Sequence, residues 1–258
     1  MKKEDKELLY DLLKKTDAYV TGYTGAAFAS TVTFEDDVDQ EEQVQYQSTQ
    51  ESNGGHEPVE GPTELSNQSP GALTMEELKS KILRCTKCPL ARTRNNVVPG
   101  EGVEQPDVLV IGEGPGYDED MSGRPFVGKA GVLLDKMLAA INLDRTRNCY
   151  IANVVKCRPP NNRDPEPEEQ SACSGFLEAQ IHLLKPKMIL CMGRIAGHKM
   201  LDTQAPLNQL RGQFHDYNGT PLMVTYHPSA LLRDESLKAP AWQDLKAFRR
   251  KLDEIKGQ

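Results

Sequence analysis

Six cysteines carry the first chemical signal in this chain. Cys85-Thr-Lys-Cys88 is a C-x2-C pair, Cys157 stands apart, and Cys173 follows sixteen residues later. Four thiolates can close a tetrahedral site, and soft sulfur ligands select zinc or an iron–sulfur cluster. Zinc usually joins two local C-x2-C knuckles, whereas here one pair joins two isolated cysteines, which favours a cluster. The competing reading makes Cys157 and Cys173 core residues and the pair incidental. Cys149 and Cys191 sit beside or inside apolar runs and read as buried core thiols.

Several loops hold a second kind of chemistry. Gly112-Glu-Gly-Pro-Gly116 is similar to a dinucleotide fingerprint, but its glycines read G-x-G-x-G, and no acidic strand end about twenty residues on completes that logic. Gly112, Gly114 and Gly116 instead let backbone approach a planar or anionic ligand, and Glu113 between them can orient water or a substrate N–H. Phe126 can stack on a base, or pack as a staple against Leu133. Asn153 stands in an otherwise apolar run, and its amide offers a donor and an acceptor to a heterocycle edge, or to neighbouring backbone. In His227-Pro-Ser-Ala-Leu-Leu-Arg233, His227 can stabilise a developing anion, Ser229 can bind phosphate, and Leu231 or Leu232 can wedge into a base stack. Lys156, Arg158 and Arg163 form a basic stretch nearby.

These residues need a frame. Asp107–Ile111, Tyr150–Val155, Lys187–Met192 and Leu222–Tyr226 are short apolar runs expected to be buried strands. Between them lie helical stripes at Gly131–Ile141, Glu166–Leu184 and Ile195–Leu201, with a closing helix at Trp242–Ile255. Thr74 with Glu77 predicts a capped helix to about Leu83. Strands alternating with helices imply right-handed crossovers, and hence a three-layer α/β/α domain on a mainly parallel four-stranded sheet. Sites in such sheets lie beyond the carboxyl ends of the strands, and Gly112–Gly116, Asn153–Arg158, Gly193–Arg194 and His227–Ser229 all follow predicted strands.

Charge divides the 258 residues unevenly: residues 1–72 hold 5 Lys/Arg against 15 Asp/Glu, and residues 73–258 hold 26 against 23. Residues 1–17 carry Leu8, Leu9, Leu12 and Leu13 at helical spacing, a short amphipathic helix that either docks on the domain or on a protein partner or stays solvated and frayed. Residues 18–72 contain no Lys or Arg and ten Asp/Glu, a composition expected to form a disordered acidic linker. The folded domain is expected over 73–258. No apolar run approaches the ~18 residues of a membrane span. The start shows no apolar secretory segment, so six cysteines in a reducing cytoplasm read as ligands or core residues rather than as a disulfide scaffold.

Taken together, Gly112-Glu-Gly-Pro-Gly116, Arg124-Pro-Phe-Val-Gly-Lys-Ala-Gly131, Asn153-Val-Val-Lys-Cys-Arg-Pro-Pro160 with Asn162-Arg-Asp-Pro165, and His227-Pro-Ser229 resemble the family 4, iron–sulfur type of uracil-DNA glycosylase over residues 74–256. The resemblance implies a [4Fe–4S] cluster on Cys85, Cys88, Cys157 and Cys173, and a monomer that hydrolyses the N-glycosidic bond of deoxyuridine in single- or double-stranded DNA. It implies that Phe126 stacks on the flipped uracil, Asn153 reads its edge and His227 stabilises the departing anion. Glu113 is the candidate for orienting water, because Gly114 stands where other uracil glycosylases carry Asp. Two rivals remain: a non-catalytic iron–sulfur or zinc DNA-binding module, and an α/β enzyme acting on free nucleotides.

Overall fold

The computed structural model describes residues 73–257; the expected N-terminal helix and acidic linker lie outside them. Helix α1 (Met75–Leu83) starts as its sequence predicts. The Thr74 hydroxyl accepts the Glu77 N–H, and the Glu77 carboxylate accepts the Thr74 N–H. The chain then forms the short strand β1 (Glu101–Gly102), β2 (Val108–Gly112), α2 (Tyr117–Ser122), α3 (Lys129–Ala139) and β3 (Cys149–Asn153). It continues with α4 (Pro167–Leu184), β4 (Met188–Met192), α5 (Arg194–Leu201), α6 (Leu207–Leu210), β5 (Phe214–Tyr217), β6 (Thr220–Thr225), α7 (Pro228–Arg233) and α8 (Lys238–Lys256).

The sheet has six strands in the order β1-β3-β2-β4-β6-β5, two more than the four expected. The four expected strands pair in parallel, and β1 and β5 add antiparallel edges. Their signals are weak for physical reasons. β1 has two residues, and β5 reads Phe-His-Asp-Tyr with no buried position, so neither shows the apolar run of an interior strand. Every residue of β2, β3 and β4 is buried, as in a sheet with helices on both faces. Leu109, Ile111, Ala152, Ile189 and Val224 share one cluster with Leu78 and Ile82 of α1, Leu177 of α4 and Met200 of α5. Helices α3 and α8 bury their own stripes, Leu134 with Leu138 and Phe248 with Leu252.

From β2 the chain passes to β3 on one side and later to β4 on the other. The order therefore reverses at β2, and a crevice opens beyond its carboxyl end, where such sheets bind ligands. Two helices at this end were not expected from sequence. The polar segment Tyr117–Ser122 is helical, and so is Pro228–Arg233, which begins with proline in its first turn. Among the described residues no helix is long and apolar enough to cross a membrane.

Candidate active site

Beyond the strand ends lies a cleft of about 740 Å³ whose lining includes Glu113, Phe126, Asn153, His227 and Ser229. Register explains why Asn153 reaches it. Gly112 and Asn153 are paired across β2 and β3, and the pairing extends past the strands, with Val154 N–H on Gly112 O and Val155 N–H on Glu113 O. A Cβ on Gly112 would lie 2.6 Å from Phe126 Cζ and closer still to Asn153 Oδ1. Glycine here is thus a requirement of close approach rather than of backbone conformation. Gly114 and Gly116 line the cleft, and both also admit neighbours, since a Cβ would meet Val155 Cγ2 at 2.7 Å and Glu119 Oε2 at 2.8 Å respectively.

Asn153 is buried, and among the described residues its Oδ1 is the buried side-chain polar atom left without a hydrogen-bond partner. Such an orphan costs roughly 1–3 kcal/mol, so an amide held this way is poised for a ligand that donates to it.

Phe126 is buried and adopts φ 51°, in the left-handed region, which costs a bulky residue about 1–3 kcal/mol unless its surroundings enforce it. Two groups do so. Glu119 Oε1 accepts the N–H groups of Val127 (2.9 Å) and Gly128 (3.1 Å), while its Oε2 accepts that of Gly116 (3.0 Å). One carboxylate therefore fastens the glycine turn to the phenylalanine loop. From the other side Arg145 donates to the carbonyls of Pro125 (2.8 Å) and Phe126 (3.0 Å). The ring so placed lies 5.5 Å from the His227 ring, centroid to centroid, at 32°. Neither Glu119 nor Arg145 stood out in the sequence. A Gly116-x-x-Glu119 capping pattern was the available signal for the first; nothing local marks the second.

His227 leaves β6 and caps α7. Its Nδ1 accepts the backbone N–H of Ser229 at 3.2 Å and lies 2.8 Å from the Ser229 hydroxyl. Because a backbone N–H can only donate, the neutral ring carries its proton on Nε2. Burial, helped by the charge of Arg233, pulls its pKa down to about 4, so the ring is neutral at pH 7. Ser229 thus sets a tautomer as well as lining the cleft. Of the two leucines considered as wedges, Leu231 is buried and Leu232 lines the cleft.

Glu113 is pushed up to about 7, first by burial and then by the charge of Asp164, against the opposing pull of Arg194 and Arg233. Asp164 and Arg194 are themselves an ion pair at 2.5 Å. The basic stretch splits three ways. Arg163 grips Glu169 with two bonds of 2.9 and 2.7 Å, and Arg158 reaches the surface. Lys156 is fully buried, donating to Asn153 O (2.8 Å) and Gln180 Oε1 (2.6 Å). A surface role for Lys156 is therefore not available.

Cys85, Cys88, Cys157 and Cys173 line a second, small cavity walled by Ile82, Val97 and Phe176. Arg94 donates to Cys157 Sγ at 3.1 Å, and the Lys87 N–H to Cys85 Sγ at 3.5 Å. Burial pushes the Cys157 thiol up to about 11 and raises Cys173. Cys149 and Cys191 are buried in the sheet, away from this cavity.

The sequence model of the Uracil DNA glycosylase superfamily matches residues 99–246, the stretch that holds the sheet and the residues of the cleft at its switch point. The type-4 uracil-DNA glycosylase of Thermotoga maritima is 46% identical over 164 residues, covering 63% of this chain and 85% of that protein. The type-4 enzyme of Archaeoglobus fulgidus is 38% identical over 193 residues (72% and 94%), and that of Sulfurisphaera tokodaii 41% over 185 residues (68% and 84%). The chain belongs to the type-4 uracil-DNA glycosylases.

Proposed function

We propose that this protein is a DNA-repair glycosylase that takes deoxyuridine out of the DNA stack and hydrolyses its N-glycosidic bond, releasing uracil and leaving an abasic site. The observation that carries the reading is the unpartnered Asn153 Oδ1, buried against Phe126 in the cleft that also holds His227. Uracil offers a donor at N3 and an acceptor at O4, matching the oxygen and nitrogen of one amide. Cytosine reverses that pattern and would leave buried groups unpaired, the strongest kind of rejection a pocket can make. Flipping costs a few kcal/mol, and stacking on Phe126 offsets about 1–3 kcal/mol of it.

Breaking the bond leaves positive charge on the sugar and negative charge on the base. His227 Nε2–H donates to the uracil oxygen as that charge grows, and a preorganised donor is worth most where charge develops. The neutral ring suits this role, since it gives a hydrogen bond without surrendering a proton to a weakly basic anion. Glu113, once ionised, orients the water that adds to the sugar carbon, and Glu119 and Arg145 act by holding Phe126.

The four cysteines in one cavity support a [4Fe–4S] cluster on Cys85, Cys88, Cys157 and Cys173. When bound, the cluster would supply iron–thiolate bonds cross-linking the segment after α1, helix α4 and the segment after β3. The N–H donors on Cys85 and Cys157 suit ligand sulfurs that carry negative charge.

Single-turnover release of uracil from an oligonucleotide tests the reading. Asn153→Asp should abolish uracil recognition, and His227→Ala should slow release by ~10²–10³-fold with DNA binding little changed. Near wild-type rates in both variants would put the pocket elsewhere.

A further inference from the structure

The cleft has one wall that uracil recognition leaves unused. Tyr117, the first residue of α2, lies at the rim and is 57% exposed. Met121, one turn later on the same helix, is 52% exposed. These are two of the large apolar side chains left open among the described residues, and Tyr117 follows directly on the Gly112–Gly116 turn. Arg158 sits over the Tyr117 ring, its guanidinium carbon 5.1 Å from the centroid. That guanidinium is itself fixed, because its Nε donates to Asn162 Oδ1 at 2.8 Å. Pro159 and Asn162 continue the same wall into the cleft.

We propose that Tyr117, braced by Arg158, is a stacking platform for the nucleobase next to the flipped uracil. The inference rests on the reading of the cleft as a uracil pocket. A nucleotide whose neighbour has entered the cleft is tethered to its mouth by one phosphodiester, so its base must lie at the rim. A ring backed on one face by a cation and open on the other matches a base, because aromatic stacking accepts any base and Arg adds to it. Tyr117 then favours substrate whose neighbouring base is already free of a complementary strand.

The test uses the full chain and three single-stranded oligonucleotides containing 2′-fluoro-deoxyuridine, a nucleotide that resists cleavage. One has normal flanks, one an abasic spacer on the 5′ side of the uracil, and one a spacer on the 3′ side. Tyr117→Ala should weaken binding to the first by roughly five- to a hundredfold. One of the two spacers should remove the difference between Tyr117→Ala and wild type, and Tyr117→Trp should bind as tightly as wild type. Equal binding by Tyr117→Ala and wild type, or the same loss on all three probes, would overturn the platform. Uracil release from cleavable DNA is measured separately. Its absence in the wild-type protein would overturn the pocket itself, whereas normal release with an indifferent Tyr117 would overturn only the platform.

Discussion

Replacing Gly112 by alanine adds one methyl group at the point where the Phe126 ring and the Asn153 amide come together. The backbone of Gly112 is ordinary strand, so the change brings no conformational strain of its own. The added Cβ would lie 2.6 Å from Phe126 Cζ and 2.7 Å from its Cε2, against an ordinary contact beginning near 3.4 Å. Phe126 and Asn153 must therefore retreat by close to 1 Å. Neither can do so freely, because Glu119 and Arg145 hold the Phe126 loop and Asn153 sits in a fully buried strand. A misplacement of about 1 Å costs on the order of 100-fold in rate, and overpacking about 1–3 kcal/mol in stability. We expect uracil release under single-turnover conditions to fall by roughly that factor while the protein still melts cooperatively a few degrees lower. Gly175→Ala is the control: nothing lies within 4 Å of its Cβ, in the interior of α4, so the rate should hold and stability rise by up to ~1 kcal/mol. Wild-type release by Gly112→Ala would refute the claim that Asn153 and Phe126 are the readers, or that Gly112 sets their positions.

The pH–rate profile should rise through about 7, because Glu113 keeps its proton until then and only the carboxylate can take up the positive charge and proton of the attacking water; Glu113→Gln should lower and flatten it. His227, at about 4, adds no loss between pH 5 and 8, and a rate that falls from pH 6 to 8 would contradict both assignments. Anaerobically purified protein should be brown, with broad absorption near ~400 nm from thiolate–iron charge transfer; colourless protein with stoichiometric zinc would replace the cluster by a zinc site. Cys→Ser at positions 85, 88, 157 or 173 should bleach the colour, whereas Cys149→Ser and Cys191→Ser should leave it. Deleting residues 1–72 removes 5 Lys/Arg and 15 Asp/Glu, so DNA binding should tighten at low salt with glycosylase activity kept; complete loss of activity would make that segment part of the catalytic unit.

Much of the frame is written locally. An apolar run such as Val108–Ile111 can be satisfied only by burial on both faces, and Thr74 with Glu77 closes its own hydrogen bonds within one turn. Once strands and helices alternate, the parallel sheet and the placing of its site at the strand ends follow from chain handedness. Glu113, Asn153 and His227 were therefore legible as neighbours although 40 and 74 residues separate them in turn. Edge strands β1 and β5 were not legible, because a short strand exposed to water carries no apolar signature and exists only when a partner supplies its hydrogen bonds.

What the tertiary structure alone decided is the state of each group. Lys156 reads as one more cation in a basic stretch, but folding buries it against the Asn153 carbonyl. Phe126 reads as base platform or staple, and where its loop is held depends on Arg145, which stands 19 residues away and donates to the Phe126 carbonyl. His227 reads as a group able to stabilise a developing anion, but its tautomer and charge are set only when the Ser229 N–H claims its Nδ1 and burial keeps it neutral. Residue types and spacings determine which interior strands and helices form, because those forces act within a few residues. Protonation, tautomer, rotamer and the space beside a missing Cβ depend on groups brought together from distant parts of the chain, and only the folded protein sets them.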